Sequence, residues 1–423
     1  MRAAVIAIGS RGDIQPMLAL ATGLRRAGHE VVFASEESYR GAAAAHDLEF
    51  YRLSGNSERF FAGPAGIRFR ESFDRPRAEF RRFWTSYIAP TVRPHLDEVP
   101  GACEGVDVAV CQPWLGVAPG MADTGVPACI ASVFPPPTLP THEFPFSLSE
   151  HAAGDQGPEG NWRTWRRAAL MLRIGHETIQ RWRIERLGLP AQTFRESLES
   201  IGRLPHVLGY SPLVVPKPAE WGPQIAVTGY WFADTAAGYT PPDDLARFLD
   251  AGEPPVVVGF GSHVGRDPGR LTTTVLDALA RAGMRGILIT AWGGLAVDEL
   301  PDHVFVSRGV PYDWLLPRVK ALVHHGGSGT TAIALRVGVP QVVTPFGYDQ
   351  TFWGGRVHRL GVAPPPLQAA TMTADELAGA MRRAATPEVA RRAQEVGAMI
   401  RSERGIEQAV ALIERVGRQH GER

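Results

Sequence analysis

The sequence predicts an α/β chain of two doubly wound, parallel-sheet domains. Three observations predict it. The chain opens on a continuous apolar run, Ala3 to Ile8, followed by a Gly-Ser-Arg-Gly turn and a helical stretch. A second apolar run, Pro255 to Phe260, restarts the same strand–turn–helix series in the second half. At 423 residues the chain is also too long for one ordinary core.

Each element has its own signal. An apolar run such as Ala3 to Ile8 suits a parallel strand buried on both faces. A helix is expected from about Asp13 to Ala27, where Gly28 ends it, and Glu30 to Ala34 reads as the second strand. Strand–helix–strand with this punctuation is a right-handed βαβ unit. Val106 to Cys111 and Ala128 to Val133 read as further core strands, and Val207 to Gly209 and Ile225 to Thr228 as short ones. The middle, about Phe60 to Leu96 and Asn161 to Leu187, reads as helical, with Trp84, Trp162, Trp165 and Trp182 interspersed. From Phe232 to Pro255 the composition shifts to Pro, Gly and Asp around a short helix, Asp243 to Asp250, as in a linker. The second series continues with a helix from Pro268 to Ala282 and strands at Gly286 to Thr290, His303 to Val306, Val319 to Val323 and Gln341 to Thr344. An amphipathic helix, Gly405 to Val416, closes the chain.

Composition narrows the function. The chain carries 44 basic and 44 acidic residues, which argues against a protein that binds nucleic acid by neutralising phosphates. The Arg-rich stretches Arg68 to Arg82 and Arg163 to Arg186 are interleaved with acids and read as solvated helix faces. Cys103, Cys111 and Cys129 have no metal-ligand spacing and leave an odd thiol, which fits a reducing cytoplasm. No secretory leader pattern and no apolar run of about 20 residues occurs. The expectation is a cytoplasmic protein without a transmembrane segment. Neither an Asp-x-Asp motif nor a His, Cys and carboxylate cluster at metal spacing is present, so no metal site and no resident cofactor is expected.

The most informative stretch is His324-His325-Gly326-Gly327-Ser328-Gly329-Thr330-Thr331. It lies between an apolar strand and an apolar-periodic helix, Thr331 to Val337. A small-residue loop there leaves backbone N–H groups uncovered at a helix start, where the dipole adds about half a positive charge. That combination suits a phosphate or diphosphate. Beyond the next strand come Asp349 and Gln350, side by side and able to grip vicinal hydroxyls. A diphosphate cradle followed by a polyol grip reads as a nucleotide-sugar site.

These residues resemble the donor signature of the GT-B glycosyltransferases of the UDP-glycosyltransferase superfamily. The N-terminal Gly9-Ser10-Arg11-Gly12-Asp13-Ile14-Gln15-Pro16 is similar to the matching element of the bacterial antibiotic glycosyltransferases and the related sterol glucosyltransferases. The resemblance runs from Met1 to about Arg415 and is weakest between about Asn56 and Pro205. It implies two Rossmann-like domains facing across a cleft. Residues 1–231 would bind the acceptor, 232–254 would link, 255–403 would bind the nucleotide-sugar, and 404–423 would cross back as a helix.

The resemblance also assigns roles. Asp13-x-x-Pro16 corresponds to the His-x-x-Pro of the plant branch, so Asp13 would be the base that deprotonates the acceptor. The residue-level alternative is an Asp that only caps a helix. His324, counted from the glycine pair, matches the diphosphate-binding histidine, and His325 its variable neighbour. Gly327, Ser328, Gly329 and Thr330 would serve the same diphosphate, as would Ser262. Arg11 and Gly12 are expected beside the donor, Asp349 and Gln350 on the sugar hydroxyls, with Trp353 packed beneath that loop. One departure stands out. Gly309 occupies the place of a nucleobase-stacking Trp, leaving the backbone of Val310 for the base edge and Trp292 either as a substitute stacker or, the more ordinary reading, as a core-packing residue.

The expected function is inverting, metal-independent transfer of a hexose from a UDP- or dTDP-sugar to a hydroxyl of an apolar natural product. The partners would be a small-molecule aglycone and the nucleotide-sugar co-substrate. A sterol or lipid acceptor is the alternative. A nucleotide-sugar 2-epimerase shares the fold but needs no acceptor pocket, and a non-catalytic donor-binding protein would not need Asp13.

Overall fold

The computed structural model describes residues 1–63, 66, 77–113, 116–149, 152–233, 238–261, 267–290 and 301–421. The chain divides into two compact units. The first comprises Met1–Ser149, Asp155–Ala233 and Glu403–Arg423, and the second Glu150–Gly154 and Asp234–Ser402.

Seven strands build the first unit: β1 (Arg2–Ile6), β2 (Glu30–Glu36), β3 (Glu49–Leu53), β4 (Val108–Cys111), β5 (Ala128–Ser132), β6 (His206–Leu208) and β7 (Ile225–Val227). They form one sheet in the order β3-β2-β1-β4-β5-β6-β7, with every pair parallel. Alternate residues of β1 face opposite layers, as the two-residue strand period requires. Ala3 and Val5 pack with helix Arg11–Arg26 and with Ala409 and Ile413 of the C-terminal helix Gly405–Gly421. Ala4 and Ile6 pack with helices Val117–Asp123 and Gly157–Glu185, through Met121 and Trp182. Layers on both faces explain why the central strands are apolar throughout.

The second unit holds β8 (Val256–Gly259), β9 (Gly286–Ile289), β10 (Val304–Ser307), β11 (Ala321–His324) and β12 (Gln341–Val343). Their order is β10-β9-β8-β11-β12, again all parallel. Helices Pro268–Ala282 and Ala374–Ala384 cover one face, and Asp243–Asp250 and Ser328–Val337 the other. The short helix read within the linker thus belongs to this unit, held by Leu245 in its core.

Both sheets reverse their winding beside their first strand, between β1 and β4 and between β8 and β11. Ligands of open α/β sheets bind at the carboxyl ends of strands at such switch points. The expected doubly wound class therefore holds for each unit, but several elements differ from the sequence reading. Strand β3 was not read at all. Two of the five residues in its Glu-Phe-Tyr-Arg-Leu sequence, Glu49 and Arg52, are charged and exposed, as suits an edge strand. Helices Phe194–Arg203, Gln350–Arg359 and Pro387–Ser402 were likewise not anticipated. The first helix begins at Arg11 rather than Asp13, and the helix after the glycine loop at Ser328 rather than Thr331. Of the expected helical middle, residues 64–65 and 67–76 lie outside the described residues.

Candidate active site

In the first unit, Asp13 lies beside the switch point. It is the third residue of helix Arg11–Arg26, and Ser10 occupies the N-cap position expected for Asp13 itself. Asp13 Oδ2 accepts two hydrogen bonds from Ser10, from N–H at 2.9 Å and from the hydroxyl at 2.8 Å. Oδ1 makes no hydrogen bond among the described residues. Burial raises the Asp13 carboxyl above its ordinary value, and the two bonds from Ser10 only partly oppose it. Gly9 makes this arrangement fit. Its φ is 136°, and a Cβ there would fall 2.7 Å from Asp13 Oδ2. Arg11 and Gly12 are exposed at the helix start.

Gln112, which sequence reasoning missed, joins the two strand ends at this point. Its Oε1 accepts the Ile8 N–H at 2.7 Å, and its Nε2 donates to the Asp13 carbonyl at 3.3 Å. The signal was an amide immediately after the apolar strand β4, at the position where the sheet reverses. A recess of about 250 Å³ borders Asp13, lined also by Met17, Gln112, Ser132 and Phe134.

In the second unit, β11 ends at His324 and the glycine loop follows. The first bond of helix Ser328–Val337 runs from Thr331 N–H to Gly327 O at 2.9 Å, so the N–H groups of Ser328, Gly329 and Thr330 precede the helical ladder. Gly326 has φ 93°, and a Cβ on it would meet Val343 Cγ1 at 2.6 Å and the Gln350 carbonyl at 2.8 Å. The loop and the Asp349-Gln350 segment are thus packed directly on one another.

The two histidines do not sit as the sequence suggested. His324 is fully buried; its Nδ1 accepts the Gly326 N–H at 3.1 Å, so its Nε2–H donates to Gln341 Oε1 at 2.9 Å. Both nitrogens of the residue expected on the phosphate are engaged inside the fold. The His325 ring lies against Gly327, and a Cβ on Gly261 after β8 would meet it at 3.1 Å. His325 therefore flanks both loops of the switch point. Burial pushes His324 down to about 3, with His325 adding to the effect and Gln341 opposing it. Burial alone pushes His325 down to about 4. Burial thus disfavours the charged form of both rings.

Asp349 occupies the N-cap position of helix Gln350–Arg359 without a side-chain capping bond, and its Oδ2 accepts the indole N–H of Trp353 at 2.7 Å. Trp353 is fully buried beneath the loop, as expected of it. Gln350 is buried too, and its Oε1 accepts the Phe346 N–H at 2.7 Å. Between them and the strand lies Tyr348, a bulky residue at φ 58°. The backbone of Val310 makes no hydrogen bond among the described residues. Ser262 and Trp292 lie outside the described residues.

Comparison with known proteins now bears on this geometry. Residues 3–123 match the glycosyltransferase family 28 N-terminal domain. Residues 273–408 match the C-terminal domain of the erythromycin biosynthesis protein CIII-like family. An O-mycaminosyltylonolide 6-deoxyallosyltransferase of Streptomyces fradiae is 36% identical over 433 residues, covering 98% of this chain and 97% of that protein. The chain is a GT-B glycosyltransferase of the UDP-glycosyltransferase superfamily. This glycosyltransferase is also 32% identical, over 430 residues, to the sterol 3-beta-glucosyltransferase UGT80B1 of Arabidopsis thaliana. That match covers 98% of the chain and 68% of the plant protein. Among solved structures, the glycotransferase of kitacinnamycin superposes with a TM-score of 0.71 at 23% identity, covering 98% of both chains. The glycosyltransferase VinC in complex with DTDP superposes with a TM-score of 0.66 at 19% identity, covering 99% of this chain and 100% of that one. The structural likenesses show the glycosyltransferase fold. Among its described residues, no helix is long and apolar enough to cross a membrane.

Proposed function

We propose that the enzyme transfers a hexose from a UDP- or dTDP-sugar to a hydroxyl group of an apolar natural product, with inversion and without a metal ion. The observation that carries this reading is the Asp13 carboxylate. One oxygen is fixed by Ser10, the other makes no hydrogen bond among the described residues, and burial makes the group more basic than an ordinary aspartate. A general base needs these properties.

In the reaction, Asp13 takes the acceptor hydroxyl proton as that oxygen forms a bond to the anomeric carbon. The bond from that carbon to the diphosphate oxygen breaks, and its electron pair leaves with the nucleoside diphosphate. A single in-line displacement inverts the anomeric configuration. The N–H groups of Ser328, Gly329 and Thr330 receive the developing diphosphate charge as preorganised dipoles. His325 is the imidazole we assign to that loop, and His324 supports it by holding Gly326. Arg11, Gly12 and Ser262 remain assigned to the donor. Asp349 and Gln350 are assigned to the sugar, and the Val310 backbone and Trp292 to the base. The bound DTDP of VinC supports a pyrimidine nucleotide.

A sterol or lipid acceptor is the second reading, favoured by the identity with the Arabidopsis sterol enzyme. Domain roles follow the same proposal: residues 1–231 for the acceptor and 255–403 for the donor. The test is thermal stabilisation by a panel of UDP- and dTDP-sugars. Mass spectrometry of mixtures with a stabilising sugar and either a macrolide aglycone or a sterol then follows. No stabilisation by any of the sugars overturns the reading.

A further inference from the structure

The first unit holds a second, larger recess of about 690 Å³, its mouth included. It opens between helices Val117–Asp123, Gly157–Glu185 and Phe194–Arg203. Its walls are mostly apolar, with Ile130, Leu172, Ile179 and Ile201 among them. Gln112 and Pro113 line both this recess and the one at Asp13.

Among the described residues, two residues on its walls each carry a buried polar atom without a hydrogen-bond partner. Arg183 is almost wholly buried. Its Nη1 donates to Asp123 Oδ2 at 2.8 Å and its Nη2 to the Pro190 carbonyl at 3.5 Å, while Nε has no hydrogen-bond partner. The buried hydroxyl oxygen of Thr138 also has none. Both residues line the recess. Buried donors without acceptors are rare in folded proteins. An arginine Nε can only donate, and a threonine hydroxyl can donate as well. The missing group is therefore a hydrogen-bond acceptor. It is uncharged, because the Arg183 charge is already paired with Asp123 and the other polar wall residues, Gln112, His176, Gln192 and Ser197, add no fixed charge. Small-molecule sites combine apolar walls with a few such convergent polar atoms.

We propose that this recess binds the apolar body of the acceptor, and that Arg183 Nε–H and the Thr138 hydroxyl read a neutral carbonyl or ether oxygen on it. The inference rests on the acceptor reading of the first unit. It adds the chemical class of that acceptor and two residues that select it.

Calorimetry on the full chain tests it with two ketones, 2-acetylnaphthalene and progesterone, against the oxygen-free 2-ethylnaphthalene and 5α-pregnane. At least one ketone should bind about tenfold more tightly than its hydrocarbon, the scale of one hydrogen bond from a charged donor. Arg183→Lys keeps a cation for Asp123 and removes Nε–H; Thr138→Val removes the hydroxyl at nearly constant shape. Each should lose most of the preference while UDP or dTDP binding stays unchanged. Absence of any ketone preference in the wild type, or its survival in both variants, overturns the proposal. If Arg183→Lys fails to fold, Thr138→Val and the wild-type comparison decide. Ketones that bind with this preference yet do not inhibit sugar transfer overturn the acceptor assignment and leave the binding site standing.

Discussion

Ser10 donates twice to a single oxygen of Asp13, through its N–H and through its hydroxyl. The same pair is both a helix cap and a holder of the proposed base. Capping fixes the carboxylate through Oδ2, which leaves Oδ1 for the proposed chemistry.

Asp13→Asn should therefore fold, because an amide oxygen can still accept from Ser10. Its kcat should fall by about 10²-fold or more, the scale of general-base loss, with nucleoside diphosphate affinity unchanged. Steady-state kinetics and calorimetry check both halves. Turnover above about a third of wild type would reject the base role, by that same scale.

Ser10→Ala probes the tuning rather than the group. The Ser10 bonds lower the Asp13 carboxyl against a larger rise from burial. Removing the hydroxyl removes part of the lowering, so the carboxyl rises further. The acidic limb of the kcat/KM profile should move to higher pH than in wild type. A limb that stays in place, or moves down, would mean that another group titrates there.

His324 and His325 should separate stability from binding. His324→Ala leaves Gln341 without its buried donor, so urea unfolding should show a loss of about 1–3 kcal/mol. His325→Ala should cost less stability and weaken UDP or dTDP binding more. The opposite pattern in calorimetry would restore the register first read from the glycine pair.

Acid should destabilise the protein through two buried histidines, His206 and His324, and the half-buried His325. His206 and His325 are pushed down to about 4 and His324 to about 3, each chiefly by burial. Below the unfolded value near 6.5 the unfolded chain takes up protons that the folded one refuses. Stability should then fall from about pH 6.5 toward 4, by about 1.4 kcal/mol per pH unit for each such group. Melting temperatures between pH 7 and 4.5 check the trend. His206→Asn should make the slope shallower, and an unchanged slope would exclude that histidine.

Much of the fold was legible because buried parallel strands advertise themselves. Ala3 to Ile8 and Pro255 to Phe260 are apolar on both faces, and each located the start of a sheet. The edge strand β3 has only one neighbour, β2, and carries charges, so it had no such signature. The glycine loop was legible as a loop, since small residues between a strand and a helix admit few alternatives. Which histidine nitrogen was engaged was not. His324 meets Gln341 only because β11 and β12 pair, a contact between residues 17 apart in sequence. Gln112 escaped for the same reason: its partners, Ile8 and the Asp13 carbonyl, are 104 and 99 residues away.

The C-terminal helix gives the chain an order of assembly. Ala409 and Ile413 are fully buried in the same core as Ala3 and Val5. His29 Nε2 lies 2.9 Å from Glu414 Oε1. A growing polypeptide thus finishes the second unit before it holds all the parts of the first. Until residues 403–423 leave the ribosome, one layer of the earlier core stays uncovered. A stop codon after Ser402 would leave the second unit whole and strip the first of that layer.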